Sequence, residues 1–213
     1  LVHAEADELP GLVVDEYAGC LAVQINTLGM ERLRDLILPE LVETRQPKGI
    51  YEKSDAASRR REGLATEHRV LQGGIPGRIE IRESGARFLV NLRESQKTGF
   101  FLDQRRNREV VASYVQEGFE VLDVFANTGA FGIHAALRGA RRVKLVDASR
   151  EALEMARENL AANGVEAQTL RADAFDFLTE APAAKDRYDL VILDPPPFAR
   201  AKRSMAGARK GMR

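Results

Sequence analysis

Residues 120–139 read EVLDVFANTGAFGIHAALRG. The first six, EVLDVF, are predominantly apolar around Asp123 and predict a β-strand. TGAFGIHAALRG, residues 128–139, predicts a helix that ends at Gly139. Between the two, Asn127, Gly129 and Gly132 form a turn. Asparagine and glycine tolerate left-handed dihedrals, and a glycine lets a ligand approach the backbone. The first turn of the helix adds N–H groups without intrahelical partners. An ordinary tight turn is the plainer alternative.

The same alternation continues downstream. RVKLVD (142–147) predicts a strand, and SREALEMARENLAANG (149–164) predicts a helix. Ser149 is its N-cap, Leu153, Ala156 and Leu160 share one face, and Asn163-Gly164 ends it. AQTLRAD (167–173) is a third strand, AFDFLTEA (174–181) a short helix, and YDLVILD (188–194) a fourth strand. Strands and helices that alternate with short connections predict a parallel sheet wrapped by helices. The fold class is therefore α/β, with a Rossmann-like parallel sheet of four strands.

Upstream the pattern is different. LVVDEY (12–17) and CLAVQIN (20–26) flank Ala18-Gly19 as a hairpin. MERLRDLILPELVET (30–44) carries Leu33, Ile37 and Leu41 at helical spacing, and Pro39 is expected to kink or end that helix. KGIYEKS (48–54) is a further strand candidate. DAASRRREGLATEHRVLQGG (55–74) is polar and reads as loop-rich. GRIEIRE and ARFLVNL flank Ser84-Gly85 as a second hairpin. A soft boundary falls near Glu94, giving a small α+β domain over residues 1–93 and the α/β domain over 94–213.

Composition bounds the class. The chain has 213 residues, 44% hydrophobic and 30% charged, as in globular proteins. No stretch approaches the roughly 20 apolar residues of a membrane span, and LVHAEADELPG lacks the apolar region of a signal peptide. The single cysteine, Cys20, excludes an internal disulfide framework and fits a cytoplasmic location. In its hairpin strand it reads as a core residue. With 32 basic and 32 acidic residues, net charge gives no argument for nucleic acid. Local charge does: Arg200, Lys202, Arg203, Arg209, Lys210 and Arg213 form an acid-free tail, and Arg59, Arg60 and Arg61 cluster. A solvated surface is the alternative for each. His3, His68 and His134 have no metal-ligand spacing, so no metal site is expected.

In open parallel sheets, ligands sit beyond the carboxyl ends of the strands. All four strands here end in chemically pointed residues. Asp123 lies within the first. Asp147, ending the second, can accept from both ribose hydroxyls or cap the next helix. Asp173 can accept from an adenine amine, with the Ala174 N–H toward a ring nitrogen, or cap AFDFL. The fourth ends in Asp194-Pro195-Pro196-Pro197-Phe198. Prolines cannot extend a ladder, so they fix a rim presenting a carboxylate and an aromatic ring. Asn127-x-Gly129-x-x-Gly132 with Asp147 is a degraded dinucleotide fingerprint. NAD, however, wants Gly where Asn127 stands and leaves Asp123, Asp173 and the rim without roles. S-adenosylmethionine uses them all. It has no pyrophosphate, and its ammonium and sulfonium favour an acid such as Asp123.

VLDVFANTGAFG, VDAS, ADAFDFL and LDPPPFARAK, preceded by NLRESQKTGFFLDQRRNR, resemble the bacterial ribosomal RNA large-subunit methyltransferase I family. The resemblance starts near ADELPGLVVDEY and implies a class I S-adenosylmethionine-dependent fold. It also implies formation of 5-methylcytosine in 23S rRNA, the RNA partner. It implies two further parts: an RNA-binding PUA domain before this stretch and the remaining strands of a seven-stranded sheet after it. The chain is thus expected to be truncated at both ends. Its fourth strand would then leave an apolar edge unless a second chain pairs with it, as in a homodimer.

Cytosine carbon 5 is a poor nucleophile, so a cysteine thiolate must first add to carbon 6. Cys20 lies in the wrong domain for this, and the resemblance implies a nucleophilic cysteine beyond Arg213. Asp194 is the catalytic candidate that remains, hydrogen-bonding the cytosine, with Phe198 stacking on an extruded base. The resemblance and the motif spacing together assign the cofactor to Thr98, Gln104, Arg105, Asp123, Asn127, Thr128, Gly129, Asp147, Asp173, Ala174 and Asp194. Lys97 to Phe101 would form a loop over the methionine end, and Gln104 and Arg105 would start a helix facing it. Arg105 and Arg108 share a helix face and could reach the cofactor carboxylate or an RNA phosphate. A capped helix packed on the sheet is the alternative. A guanine-methylating relative, which needs no cysteine, and a non-catalytic RNA-binding module stay open as other readings.

Overall fold

The computed structural model describes residues 1–95, 98–180 and 186–196. Lys97, Pro197, Phe198 and the basic tail lie outside them. The chain forms two compact units. One comprises Leu1–Ile81 with Leu89–Leu102; the other comprises Arg82–Phe88 and the chain from Asp103 onward. The boundary expected near Glu94 falls inside the second stretch of the first unit.

The first unit contains β1 (Val2–His3), β2 (Leu12–Tyr17), β3 (Cys20–Ile25), α1 (Leu28–Arg32), α2 (Arg34–Arg45), β4 (Gly49–Ser54), α3 (Ala57–Arg61) and β5 (Glu67–Gly73). Its five-stranded sheet has the order β1-β2-β3-β4-β5. Only β3 and β4 run parallel, joined by the crossover through α1 and α2. Ala18 (φ 49°) and Gly19 (φ 86°) turn the β2–β3 hairpin in left-handed backbone, as the Ala-Gly pair predicts. Leu12, Val14, Leu21, Val23, Ile25 and Ile50 form the core, against which Ile37, Leu41 and Val42 of α2 pack.

Three expectations need correction here. Of the two outcomes expected at Pro39, a kink or an end, the end does not occur: α2 runs through it to Arg45, and the helical run is interrupted at Leu33 instead. Packing of the Ile37/Leu41/Val42 face offsets the hydrogen bond that proline lacks. The stretch read as loop-rich holds α3 and β5. β5 is an edge strand with few apolar contacts, so it shows little of the alternation that reveals a half-buried strand. Arg59 is not a surface charge. It is 2% exposed, and its guanidinium donates to the Ile25 carbonyl and Glu31; Arg60 and Arg61 are exposed.

β6 (Ile79–Glu83) and β7 (Ala86–Val90) form a separate hairpin turned by Ser84-Gly85, with its tip assigned to the second unit. The second unit continues with α4 (Arg105–Ser113), β8 (Glu120–Val124), α5 (Ala130–Leu137), β9 (Arg142–Asp147), α6 (Arg150–Asn163), β10 (Gln168–Arg171), α7 (Ala174–Glu180) and β11 (Leu190–Leu193). The four strands are all parallel, in the order β10-β9-β8-β11. Chain order and spatial order therefore diverge next to β8, the switch point where open α/β sheets bind ligands. Leu122, Val124, Val146 and Ala174 form one core cluster beneath that end. Ser149 caps α6 by accepting from the Ala152 N–H, and Gly164 (φ 64°) ends it, as the sequence predicts. Val191 and Leu193 of the edge strand β11 are 45% and 55% exposed. Among the described residues no helix is long and apolar enough to cross a membrane.

Candidate functional site

The strand register brings the predicted carboxylates together. Asp123 pairs with Leu145 of β9 on one side and Ile192 of β11 on the other. Asp147 lies two residues further along β9, so the pleat directs it to the same face as Asp123; Asp194 follows directly after β11, close enough for its charge to bear on Asp123. Asp173 follows two residues after Arg171, the register partner of Asp147. Across the sheet the order is Asp173, Asp147, Asp123, Asp194, at the carboxyl ends of four adjacent strands.

The loop between β8 and α5 rises beside them. Phe125 (φ 63°), Asn127 (φ 48°) and Gly129 (φ 79°) all adopt left-handed backbone. This costs a non-glycine residue roughly 1–2 kcal/mol, so the loop is held by its surroundings. Ala126 N–H donates to the Val146 carbonyl (3.1 Å), and Gly129 N–H to the Ala126 carbonyl (2.8 Å). The Thr128 carbonyl accepts from Asn159 Nδ2 at 3.1 Å. Gly132 is required for close packing: a Cβ there would come within 2.3 Å of Leu145 Cδ2. Phe125 escaped the sequence reading, because phenylalanine gives no sign of a left-handed backbone. Its ring meets Phe175 edge-on at 6.1 Å.

The carboxylates differ in what they already hold. Asp147 Oδ2 accepts from Asn127 N–H (2.7 Å) and Oδ1 from Ser149 N–H (2.8 Å). It thus fixes the loop and the start of α6, and each oxygen keeps a second lone pair for a ligand. Asp173 Oδ1 accepts from the Phe175 and Asp176 N–H groups, so the helix-cap alternative is realised; Ala174 opens α7. Asp194 is exposed. Asp123 is 1% exposed, and its Oδ2 accepts from Gly132 N–H at 3.0 Å. Burial pushes its carboxyl up to about 7 despite that bond, and the charges of Asp194 and Asp147 add to the rise.

A second buried carboxylate lies on another part of this unit. Glu83 accepts from Arg108 Nε (2.6 Å) and Nη2 (2.8 Å), with His134 Nε2 3.3 Å from Oε1. Burial alone would raise its carboxyl, but Arg108 and His134 outweigh it and hold it down at about 2. The expectation that Arg108 reaches a ligand is therefore overturned: it is 2% exposed and fully engaged. Arg105 is exposed, with Nε 3.5 Å from Glu83 Oε2. Gln104 precedes α4 and accepts from Asn107. Thr98 belongs to the first unit, where its hydroxyl donates to Asp15 and lies 3.3 Å from the Tyr17 hydroxyl. Cys20 is buried in β3, and burial raises its thiol.

This sheet, its switch point and its strand-end acids define an α/β Rossmann-like fold of the methyltransferase type. A chain described as "A putative sam-dependent methyltransferase from Streptococcus mutans" superposes with a TM-score of 0.80 at 27% identity. It covers 98% of this chain and 55% of that one. A structure described as "a putative methyltransferase complexed with SAH" gives 0.80 at 29% identity, over 94% and 52%. The family model "Conserved hypothetical protein 95" matches residues 106–206. In sequence, the chain is 42% identical to the ribosomal RNA large subunit methyltransferase I of Aeromonas salmonicida, over 99% of this chain and 54% of the relative. It is 39% identical, with the same coverage, to a relative from Methanocaldococcus jannaschii named "Putative ribosomal RNA large subunit methyltransferase". The chain spans about half the length of these curated relatives.

Proposed function

We propose that this chain carries the S-adenosylmethionine site of a methyltransferase acting on a base in ribosomal RNA. The observation that carries the reading is the convergence of Asp123, Asp147 and Asp194 at the carboxyl end of the sheet beside a left-handed loop. A buried carboxyl with no cation beside it among the described residues, flanked by two more acids, suits a positively charged nucleoside and repels a pyrophosphate. The names of the full-length relatives support the RNA substrate.

Bound there, S-adenosylmethionine supplies an electrophilic methyl on its sulfonium. Asp147 would take the ribose hydroxyls, with Asn127, Thr128 and Gly129 lining the nucleoside's path. Asp173 and Ala174 would bound the adenine. Thr98, Gln104 and Arg105 are proposed toward the methionine end. Asp194 would orient the target base, because its exposed carboxylate can accept from an exocyclic amine; Phe198 is the proposed stacking partner. Orientation is this site's main contribution, since it converts the encounter into a near-attack geometry.

Within this reading we propose cytosine carbon 5 of 23S rRNA as the target, in the cytoplasm. That route needs a thiolate, and the buried Cys20, its thiol raised by burial, is no activated nucleophile. The proposal therefore asks for a thiol other than Cys20. The same observation favours the second reading, a guanine-methylating enzyme, which needs none. A homodimer through β11 is a further proposal, motivated by the exposed Val191 and Leu193. A mass-spectrometric map of methylated rRNA nucleotides after incubation with the full-length enzyme tests the target. A new 5-methylcytosine in 23S rRNA is expected. A methylguanine would favour the second reading, and no methylated nucleotide would refute both.

A further inference from the structure

Asp123 is buried more completely than any other carboxylate at the strand ends, and among the described residues no cation lies beside it. Among the described residues the charged groups that face it are Asp147 from β9 and Asp194 just after β11. α5 offers it only the Gly132 N–H; the titratable residue of that helix, His134, is engaged by Glu83. Of the other charged side chains of β9, Lys144 is committed to Asp186 at 2.7 Å and Arg142 to Glu120 at 2.5 Å. Arg108 is committed to Glu83. A carboxyl so placed stays mostly protonated in the empty protein up to about neutral pH, because burial and two neighbouring acids oppose its charge and none of these cations relieves it.

We infer that binding of a cationic nucleoside at this site is coupled to release of one proton from Asp123, which makes the site selective for cationic over neutral nucleosides. The inference rests on the cofactor reading above and deepens it. A neighbour of the same fold, with a TM-score of 0.80, is described as complexed with SAH, which supports the cofactor reading on which the inference rests. The bound cation supplies the counter-charge that the fold withholds, and the proton passes to the buffer. Linkage fixes the direction. Below the carboxyl's titration point each lower pH unit weakens cationic-ligand affinity about tenfold, because a proton must first leave. Above that point the carboxyl adds no further pH dependence.

Calorimetric titration with two probes tests this. S-adenosylmethionine carries the cations; 5′-methylthioadenosine has the same nucleoside and sulfur without them. Each is measured from pH 6 to 8 in buffers of different ionisation enthalpy. The expected result is release of about one proton by S-adenosylmethionine near pH 6, falling toward zero at pH 8, with none for methylthioadenosine. Asp123→Asn keeps the Gly132 hydrogen bond and should abolish the proton release and the pH dependence while methylthioadenosine still binds. S-adenosylmethionine binding without proton exchange in the wild type, or exchange that survives in Asp123→Asn, would overturn the inference and leave the cofactor reading standing. If neither nucleoside binds at any pH, both fall.

Discussion

Glu83 and Asp123 are two carboxylates of the same unit, both essentially removed from water, with opposite fates. Glu83 is surrounded by Arg108 and His134 and held at about 2. Asp123 has one backbone N–H and two neighbouring acids, and rises to about 7. Burial acts on both in the same direction, so the partners decide. A carboxylate that has its cations inside the fold holds the fold together. One whose fold denies it a cation is a place for a cation to arrive.

The comparison is most easily broken at Glu83. Glu83→Gln leaves Arg108 buried without its counter-charge, and such a loss costs about 3–5 kcal/mol. Urea unfolding at pH 7 should show that loss; an unchanged midpoint would mean that Glu83 is not structural. Asp123→Asn should act the other way in the ligand-free protein. Between the unfolded value of 3.8 and the folded value of about 7, the native state keeps a proton that the unfolded chain has lost. The contribution of Asp123 therefore falls as pH rises through that window. At about 1.36 kcal/mol per pKa unit, wild type should lose up to about 4 kcal/mol relative to Asp123→Asn between pH 4 and pH 8. Parallel pH–stability curves for the two proteins would refute the raised carboxyl. The smallest effect sharpens the division of labour among the acids. Asp147→Ala removes the proposed ribose acceptor and the ties to Asn127 and Ser149, so S-adenosylmethionine should bind at least about tenfold more weakly, or ~1.4 kcal/mol. Asp194→Ala, at an exposed position, should cost less. Calorimetry that ranks them in reverse would contradict the ribose assignment.

Much of the second unit was legible because its strands are short apolar runs punctuated by acids, and its helices carry caps such as Ser149 and Gly164. The strand-end acids could be picked out from chain position alone. Their convergence could not, because it depends on β11 inserting beside β8, and spatial order leaves no trace in local sequence. The role of Arg108 was misread for a related reason: its partner Glu83 lies 25 residues away on a hairpin. Phe125 was missed because its strained backbone is imposed by the packed loop, not by its side chain. In the first unit, β5 hid behind polar composition, and Arg59 looked like surface until α3 folded it inward. Sequence pattern reports burial by apolar side chains well and burial by paired charges poorly.

The central claim is spatial: the acids at the ends of β8, β9 and β11 surround a single cofactor. A crystal structure of the protein grown with S-adenosylmethionine tests it most directly. The account predicts the nucleoside over the Phe125–Gly129 loop, its ribose hydroxyls on Asp147, and a cationic group of the ligand on the Asp123 side of the loop. Electron density for the ligand away from these strand ends, with Asp123 and Asp147 untouched, would contradict it.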